Sequence, residues 1–185
     1  MRRFPGSVGS SANMGVALQY FPLGEDDDEK CEPSTYAQPD VPMAALPGNA
    51  ERFIDSIAAH HFTKEDCCDA PQHEGTPTKP ALSGAVDYLE GWQRQHSDRS
   101  VAILLATDGE PSDVCDDNEV EDVAEVIEAA AQGSPAIPTY VVGIGDEDSL
   151  DDLAAVGGTG LGALLVDGSG VNTELEGDSL LGLAD

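Results

Sequence analysis

The residues able to do chemistry fall into a few short stretches. The first is "VAILLATDGEP" (101–111), where an unbroken apolar run meets Asp108. A carboxylate at that point is either the start of an Asp-Gly turn or a placed functional acid. The second is "HHFTKEDCCDAPQH" (60–73), which offers His60, His61, Cys67, Cys68 and His73 as zinc donors. Its spacing matches no standard zinc pattern, and vicinal cysteines are poorly shaped to hold one tetrahedral ion together. Four cysteines, Cys31, Cys67, Cys68 and Cys115, allow two disulfides in three pairings. "GEDDDEK" (24–30) could bind Ca²⁺ weakly but reads first as a solvated acidic loop. "GGTGLG" (157–162) imitates a dinucleotide fingerprint. It precedes a strand instead of joining a strand to a helix, so it reads as a tight turn.

Charge narrows the partners. The chain has 36 acids against 8 bases, a net charge of −28 over 185 residues. Residues 100–185 hold 20 Asp and Glu and no Lys or Arg after Arg99. Nucleic acid, which is bound by cationic groups that displace counterions, is excluded as a partner. Anionic membranes are disfavoured likewise. Cations and basic protein surfaces are favoured, while part of the charge serves solubility alone. No run of 18 apolar residues crosses a membrane. The start "MRRFPGSVGSS" has no apolar core and is not a secretory signal.

The elements that must position these residues follow from periodicity. Residues 1–13 read as an irregular Gly/Ser-rich segment and 14–185 as one domain. "MGVALQYF" (14–21) reads as a strand, and "VPMAAL" (41–46) as a short edge strand. "GNAERFIDSIAAH" (48–60) reads as a helix capped by Asn49. Ala50, Phe53, Ile54, Ile57 and Ala58 form one face of it. "TKPALSGAVDYLEGWQRQH" (78–96) reads as a helix capped by Thr78, burying Leu82, Ala85, Val86, Leu89 and Trp92. "SVAILLAT" (100–107) is apolar on both faces, as a central strand of a parallel sheet would be. A helix over 117–133, strands over 137–145 and 162–167, and helices over 149–158 and 172–184 complete the pattern.

Alternating helix and strand from residue 78 onward predicts an α/β domain with a mostly parallel sheet, doubly wound and Rossmann-like. Such sheets bind ligands at the C-terminal ends of their strands. Asp108 lies at that end. The helix over 78–96 runs antiparallel to the strand it feeds, so the loop 74–80 meets Asp108 there. With 14–21 parallel to 100–107, all four cysteines also gather on that side, where disulfides would brace its loops.

Here "GTPTKPAL" followed by "VAILLATDGEP", and later "IPTYVVGIGD" and "GGTGLGALLVD", resemble the von Willebrand factor type A domain. The wording of "LQYFPLG", "LPGNA" and "GTPT" resembles its bacterial extracytoplasmic members. The resemblance covers roughly residues 14–170. It implies a non-catalytic binding domain with a metal-ion-dependent adhesion site. There Mg²⁺, Mn²⁺ or Ca²⁺ is completed by an acidic residue of a protein ligand. Carried over by position, Thr76 would offer a hydroxyl and Asp108 a carboxylate; Glu110 reads as a solvated acid. The family's Asp-x-Ser-x-Ser strand, the central one, occurs nowhere in the sequence. The resemblance therefore implies an N-terminally truncated domain that binds Mg²⁺ weakly, since two oxygens fall far short of the six the ion wants. A partner-binding domain that uses no metal, or a degenerate remnant, is the alternative. A phosphotransfer or phosphatase enzyme using Asp108 as its phosphorylated nucleophile is a further one. It lacks the lysine such sites take from a later strand, because none follows Lys79.

Overall fold

A computed structural model describes residues 14–60, 75–112, 114–144, 149–160 and 164–166. In chain order the elements are β1 (Gly15–Leu18), α1 (Asp27–Lys30), a 3-10 turn (Pro33–Tyr36), β2 (Val41–Ala45), α2 (Ala50–Ala59), α3 (Thr78–Gln95), β3 (Ile103–Thr107), α4 (Val120–Gln132), β4 (Thr139–Ile144), α5 (Ser149–Val156) and β5 (Leu164–Val166). The protein is an α/β chain in which helices flank a small parallel sheet. That sheet has the order β3-β4-β5, with both pairs parallel. β1 and β2 form a separate antiparallel pair, Gly15 opposite Ala45 and Leu18 opposite Val41. Among the described residues, β1 pairs with β2 and not with the sheet that holds β3.

The core lies on one face of the parallel sheet. Leu105 of β3 and Val141 of β4 pack with Leu82 of α3, Val123 and Ile127 of α4, and Leu150, Leu153 and Ala154 of α5. A second cluster joins Leu89, Val101, Ala130 and Ile137, with Ile103 and Trp92 against it. Each fully buried aliphatic side chain here contributes about 1.5–3 kcal/mol relative to exposure. The opposite face is different. Leu104 is 68% exposed and Ala106 is exposed. So β3 is not the doubly covered strand its composition suggests. Among the described residues it is the end strand of its sheet, with its outward face bare at Leu104 and Ala106.

The helices show the same split between pattern and burial. α4 follows its apolar period, burying Val123, Ile127 and Ala130, and starts with a capping box between Glu119 and Asp122. α2 forms where the period predicts, yet none of its side chains is buried, and Ile54 and Ile57 are 65% and 51% exposed. Of its apolar stripe only Ala50 and Phe53 are half-buried, while Ile54, Ile57 and Ala58 stand exposed. Asn49 stands at its N-cap position, but its side chain makes no capping bond to the helix. Its buried amide instead donates to Val16 O (3.0 Å) and Pro42 O (3.2 Å), tying β1 to β2. Thr78 is likewise not a cap but the first residue of α3.

The acidic loop 24–40 is more structured than its charge suggests. α1 and the 3-10 turn fold it onto α3, and Tyr36 is 1% exposed. Gly84 of α3 makes this possible. A Cβ there would fall on the Pro33 carbonyl and lie 2.7 Å from Tyr36 Cβ. A disulfide joins Cys31, just after α1, to Cys115, with Cα atoms 5.5 Å apart.

Candidate functional site

Asp108 is placed by a strand and a turn. β3 ends at Thr107, whose hydroxyl donates to Gly109 O (2.9 Å) and accepts from Gly109 N–H (3.3 Å). That local hydroxyl bridge folds the Asp108–Gly109 turn tightly against the strand end. Asp108 itself is exposed. Its position is at the C-terminal end of a parallel strand, where α/β sheets present ligand-binding groups.

Thr76 is placed by its backbone. Gly75 has φ +88°, a conformation that favours glycine, and a Cβ there would come within 2.8 Å of Val114 Cβ. The chain therefore enters Thr76 pressed against the loop that follows Asp108. Thr76 N–H donates to Ser112 Oγ (2.6 Å), and Ser112 N–H donates back to Thr76 O (3.2 Å). Thr76 O also accepts from Thr78 N–H (2.8 Å). No hydrogen bond to a described residue engages the Thr76 hydroxyl. Its oxygen lies 3.9 Å from the point where a Cβ on Gly109 would stand, so it faces the residue beside Asp108.

Asn118 holds the two loops together, and sequence reasoning missed it. It is 2% exposed. Its amide donates to Thr76 O (2.8 Å) and Ser112 O (2.7 Å), while its carbonyl accepts from Lys79 N–H (2.8 Å) at the start of α3. One side chain thus joins the threonine loop, the loop after β3 and a helix N-terminus. Its sequence setting, "DDNEV", resembles a helix-capping run; only its burial distinguishes it.

Thr76 and Asp108 line one cavity of about 330 Å³. Gly75 and Thr76 form one side, Ala106, Thr107 and Asp108 another, and Phe21 and Pro22, just beyond β1, a third. The structure brings these two predicted residues to one place. Glu110 is exposed nearby and is not among the lining residues. A larger cleft of about 460 Å³ lies around the disulfide, with Asp27, Asp28, Asp116, Asp117 and Lys79 on its rim. Lys79 is also 3.8 Å from Asp122 of α4. Among the described residues, no group of three or more His, Cys, Asp or Glu converges to hold a metal ion. Nor is any helix among them long and apolar enough to cross a membrane.

Of the cysteines, Cys31 and Cys115 are bridged. Cys67 and Cys68, and with them His61 and His73 of the zinc-donor stretch, lie outside the described residues. His60 stacks on Tyr20 with ring centroids 3.9 Å apart. The irregular segment 1–13, the strand end at 167 and the helix over 172–184 also lie outside them. No protein-family model matches the chain, and neither does any curated protein or solved structure.

Proposed function

We propose that this chain is the larger part of a von Willebrand factor A-like binding domain, doubly wound in its complete form and non-catalytic. Its ligand site lies at the end of β3. The observation that carries the reading is the meeting of Thr76 and Asp108 in one cavity at the C-terminal end of a parallel strand. A hydroxyl and a carboxylate are hard oxygen donors of the kind Mg²⁺ takes, together with retained waters. The Thr76 hydroxyl has no competing bond to a described residue, which suits it to that use. An acidic residue of a protein ligand would complete the coordination. Two protein oxygens are too few for tight binding, so the remainder of the site must come from an Asp-x-Ser-x-Ser strand that these 185 residues do not contain.

The Cys31–Cys115 bridge favours an oxidising setting, in keeping with an extracytoplasmic or cell-surface parent. A partner-binding domain that needs no metal is the second reading. The bare outer face of β3 favours it, because that face offers contact area without any ion.

Calorimetric titration with Mg²⁺ tests the proposal. The expected result is millimolar or weaker affinity, reduced further in Asp108→Ala. Micromolar affinity abolished in Asp108→Ala would show that the site needs no further strand. Transfer of phosphate from acetyl phosphate to Asp108 would overturn the non-catalytic reading.

A further inference from the structure

The Cys31–Cys115 bridge stands at one end of a chain of contacts whose other end is the Thr76 loop. Ser112, Val114 and Asn118, on either side of Cys115, each touch that loop. Thr76 N–H donates to Ser112 Oγ at 2.6 Å. A Cβ on Gly75 would come within 2.8 Å of Val114 Cβ. Asn118, 2% exposed, donates to Thr76 O at 2.8 Å. Cys31 Sγ lies 3.4 Å from Val114 O, so the bridge reaches the same residue that backs Gly75. On its other side the bridge is tied to α1 and the 3-10 turn, where Tyr36 is buried.

The bridge opens on the cleft of about 460 Å³, which both cysteines line. Asp27, Asp28, Asp116 and Asp117 line it too, and all four are exposed. Two ammonium groups oppose them. Lys79 lines the cleft but lies 3.8 Å from Asp122, and buried Lys30, beside Cys31, lies 3.4 Å from Asp27 Oδ1. Carboxylates therefore dominate around the sulfurs. Disulfides are opened by thiolates, which are anions, and like charge close by repels them.

We propose that the Cys31–Cys115 bridge is a redox switch for the Thr76 loop, opened by cationic thiols and closed to anionic ones. A thiolate attacks one bridge sulfur, the S–S bond breaks, and the other cysteine leaves as a thiolate and takes up a proton. A second thiol displaces the first from the mixed disulfide. Two thiols end as one disulfide, and the bridge gains two electrons and two protons. A positive group on the attacking thiol turns repulsion at the cleft into attraction. Opening frees Cys115 from the α1 segment and loosens Ser112, Val114 and Asn118 around Thr76. That this sets the ligand affinity of the cavity rests on the reading of Thr76 and Asp108 as the ligand site. The switch itself does not, and it is tested in EDTA with no ligand present.

The probes are cysteamine, which carries an ammonium group, and 3-mercaptopropionate, which carries a carboxylate. Opening is followed by alkylation and mass spectrometry of the peptides that hold Cys31 and Cys115. Rates are taken per thiolate and divided by each reagent's rate on a small neutral disulfide. At about 0.01 M ionic strength cysteamine should be at least tenfold faster by this measure, and at about 1 M the ratio should fall below about threefold. Asp116→Asn together with Asp117→Asn, both at exposed positions, should cut the low-salt ratio at least threefold. After opening, amide hydrogen exchange at Thr76 and Ser112 should rise at least tenfold. Losing the bridge also lowers global stability. Ile127→Ala, in the core with the bridge intact, is therefore the control and should leave both amides slow. Equal normalised rates at low salt would overturn the proposal. So would unchanged exchange at both amides after opening, or an equal rise in bridged Ile127→Ala. Whether Mg²⁺ binds is read separately by calorimetric titration and bears on none of these outcomes.

Discussion

Replacing Asn118 should unfasten the candidate site and cost the chain a large share of its stability. Asn118→Ala removes three hydrogen bonds, to Thr76 O, Ser112 O and Lys79 N–H, all between 2.7 and 2.8 Å. A net value of about 1 kcal/mol per bond gives a loss of about 3 kcal/mol. That is sizeable against the roughly 5–15 kcal/mol by which domains are stable. With a urea slope of about 2 kcal/mol/M, the midpoint should fall by about 1.5 M with the slope unchanged. Asn118→Asp sharpens the test. It keeps the acceptor for Lys79 N–H but sets a buried carboxylate oxygen against two carbonyl oxygens. At neutral pH it should therefore be less stable than Asn118→Ala. Far-UV circular dichroism in urea reads both. A loss below about 1 kcal/mol in Asn118→Ala, or an Asn118→Asp protein more stable than Asn118→Ala, would refute the account of the clamp. Ser112→Ala shares partners with Asn118, so the double variant should lose measurably less or more than the sum of the two losses.

Other perturbations follow from the packing. Replacing Cys31 and Cys115 together by serine should cost about 4.5 kcal/mol, the loop-closure value for a separation of 84 residues, read by the same unfolding assay. Gly84→Ala should lose about 1–3 kcal/mol, because its methyl meets the Pro33 carbonyl and Tyr36 in a close contact between backbones; differential scanning calorimetry checks it. Burial pushes the Tyr36 phenol above its ordinary value of 10.0, a shift only partly offset by its hydrogen bond with the Leu23 backbone. The unfolded chain then ionises first as pH rises. The contribution is full below pH 10.0 and is lost as pH climbs through the folded value. Alkaline unfolding should therefore be less steep in Tyr36→Phe than in the parent chain.

The sequence carried the elements better than their surroundings. α3 and α4 were legible because each shows a strong helical period with clear ends. "VAILLAT" was legible as a strand, but a continuous apolar run is compatible with two covered faces or with one covered and one bare. What covers Leu104 depends on other chain segments, so no local pattern could report that its outer face is open. The stripe of Ile54 and Ile57 misled in the same way: amphipathicity fixes which face is apolar, not whether anything lies against it. Thr76 and Asp108 were legible as residues meeting at the end of β3, because a helix feeding a parallel strand must begin where that strand ends. Asn118 and Tyr36 were not, since their importance comes from burial by loops distant in sequence. The "EDDDEK" stretch looked wholly solvated, and only the fold shows that Tyr36, a few residues on, anchors that segment against α3.

The Cys31–Cys115 bridge also determines how the molecule would carry a load. Tension applied at the two chain ends passes from Cys31 directly to Cys115, across a Cα gap of 5.5 Å. The segment between them, which holds β2, α2, α3 and β3, lies off the line of force and cannot be drawn out while the bridge lasts. Reduction would release that hidden length. At about 3.4 Å per residue, a separation of 84 residues amounts to about 290 Å of added extension. In a single-molecule pulling experiment, this would appear as a lengthening step seen only when a reductant is present. The site at the end of β3 is therefore mechanically sheltered, even though chemically it lies open to solvent.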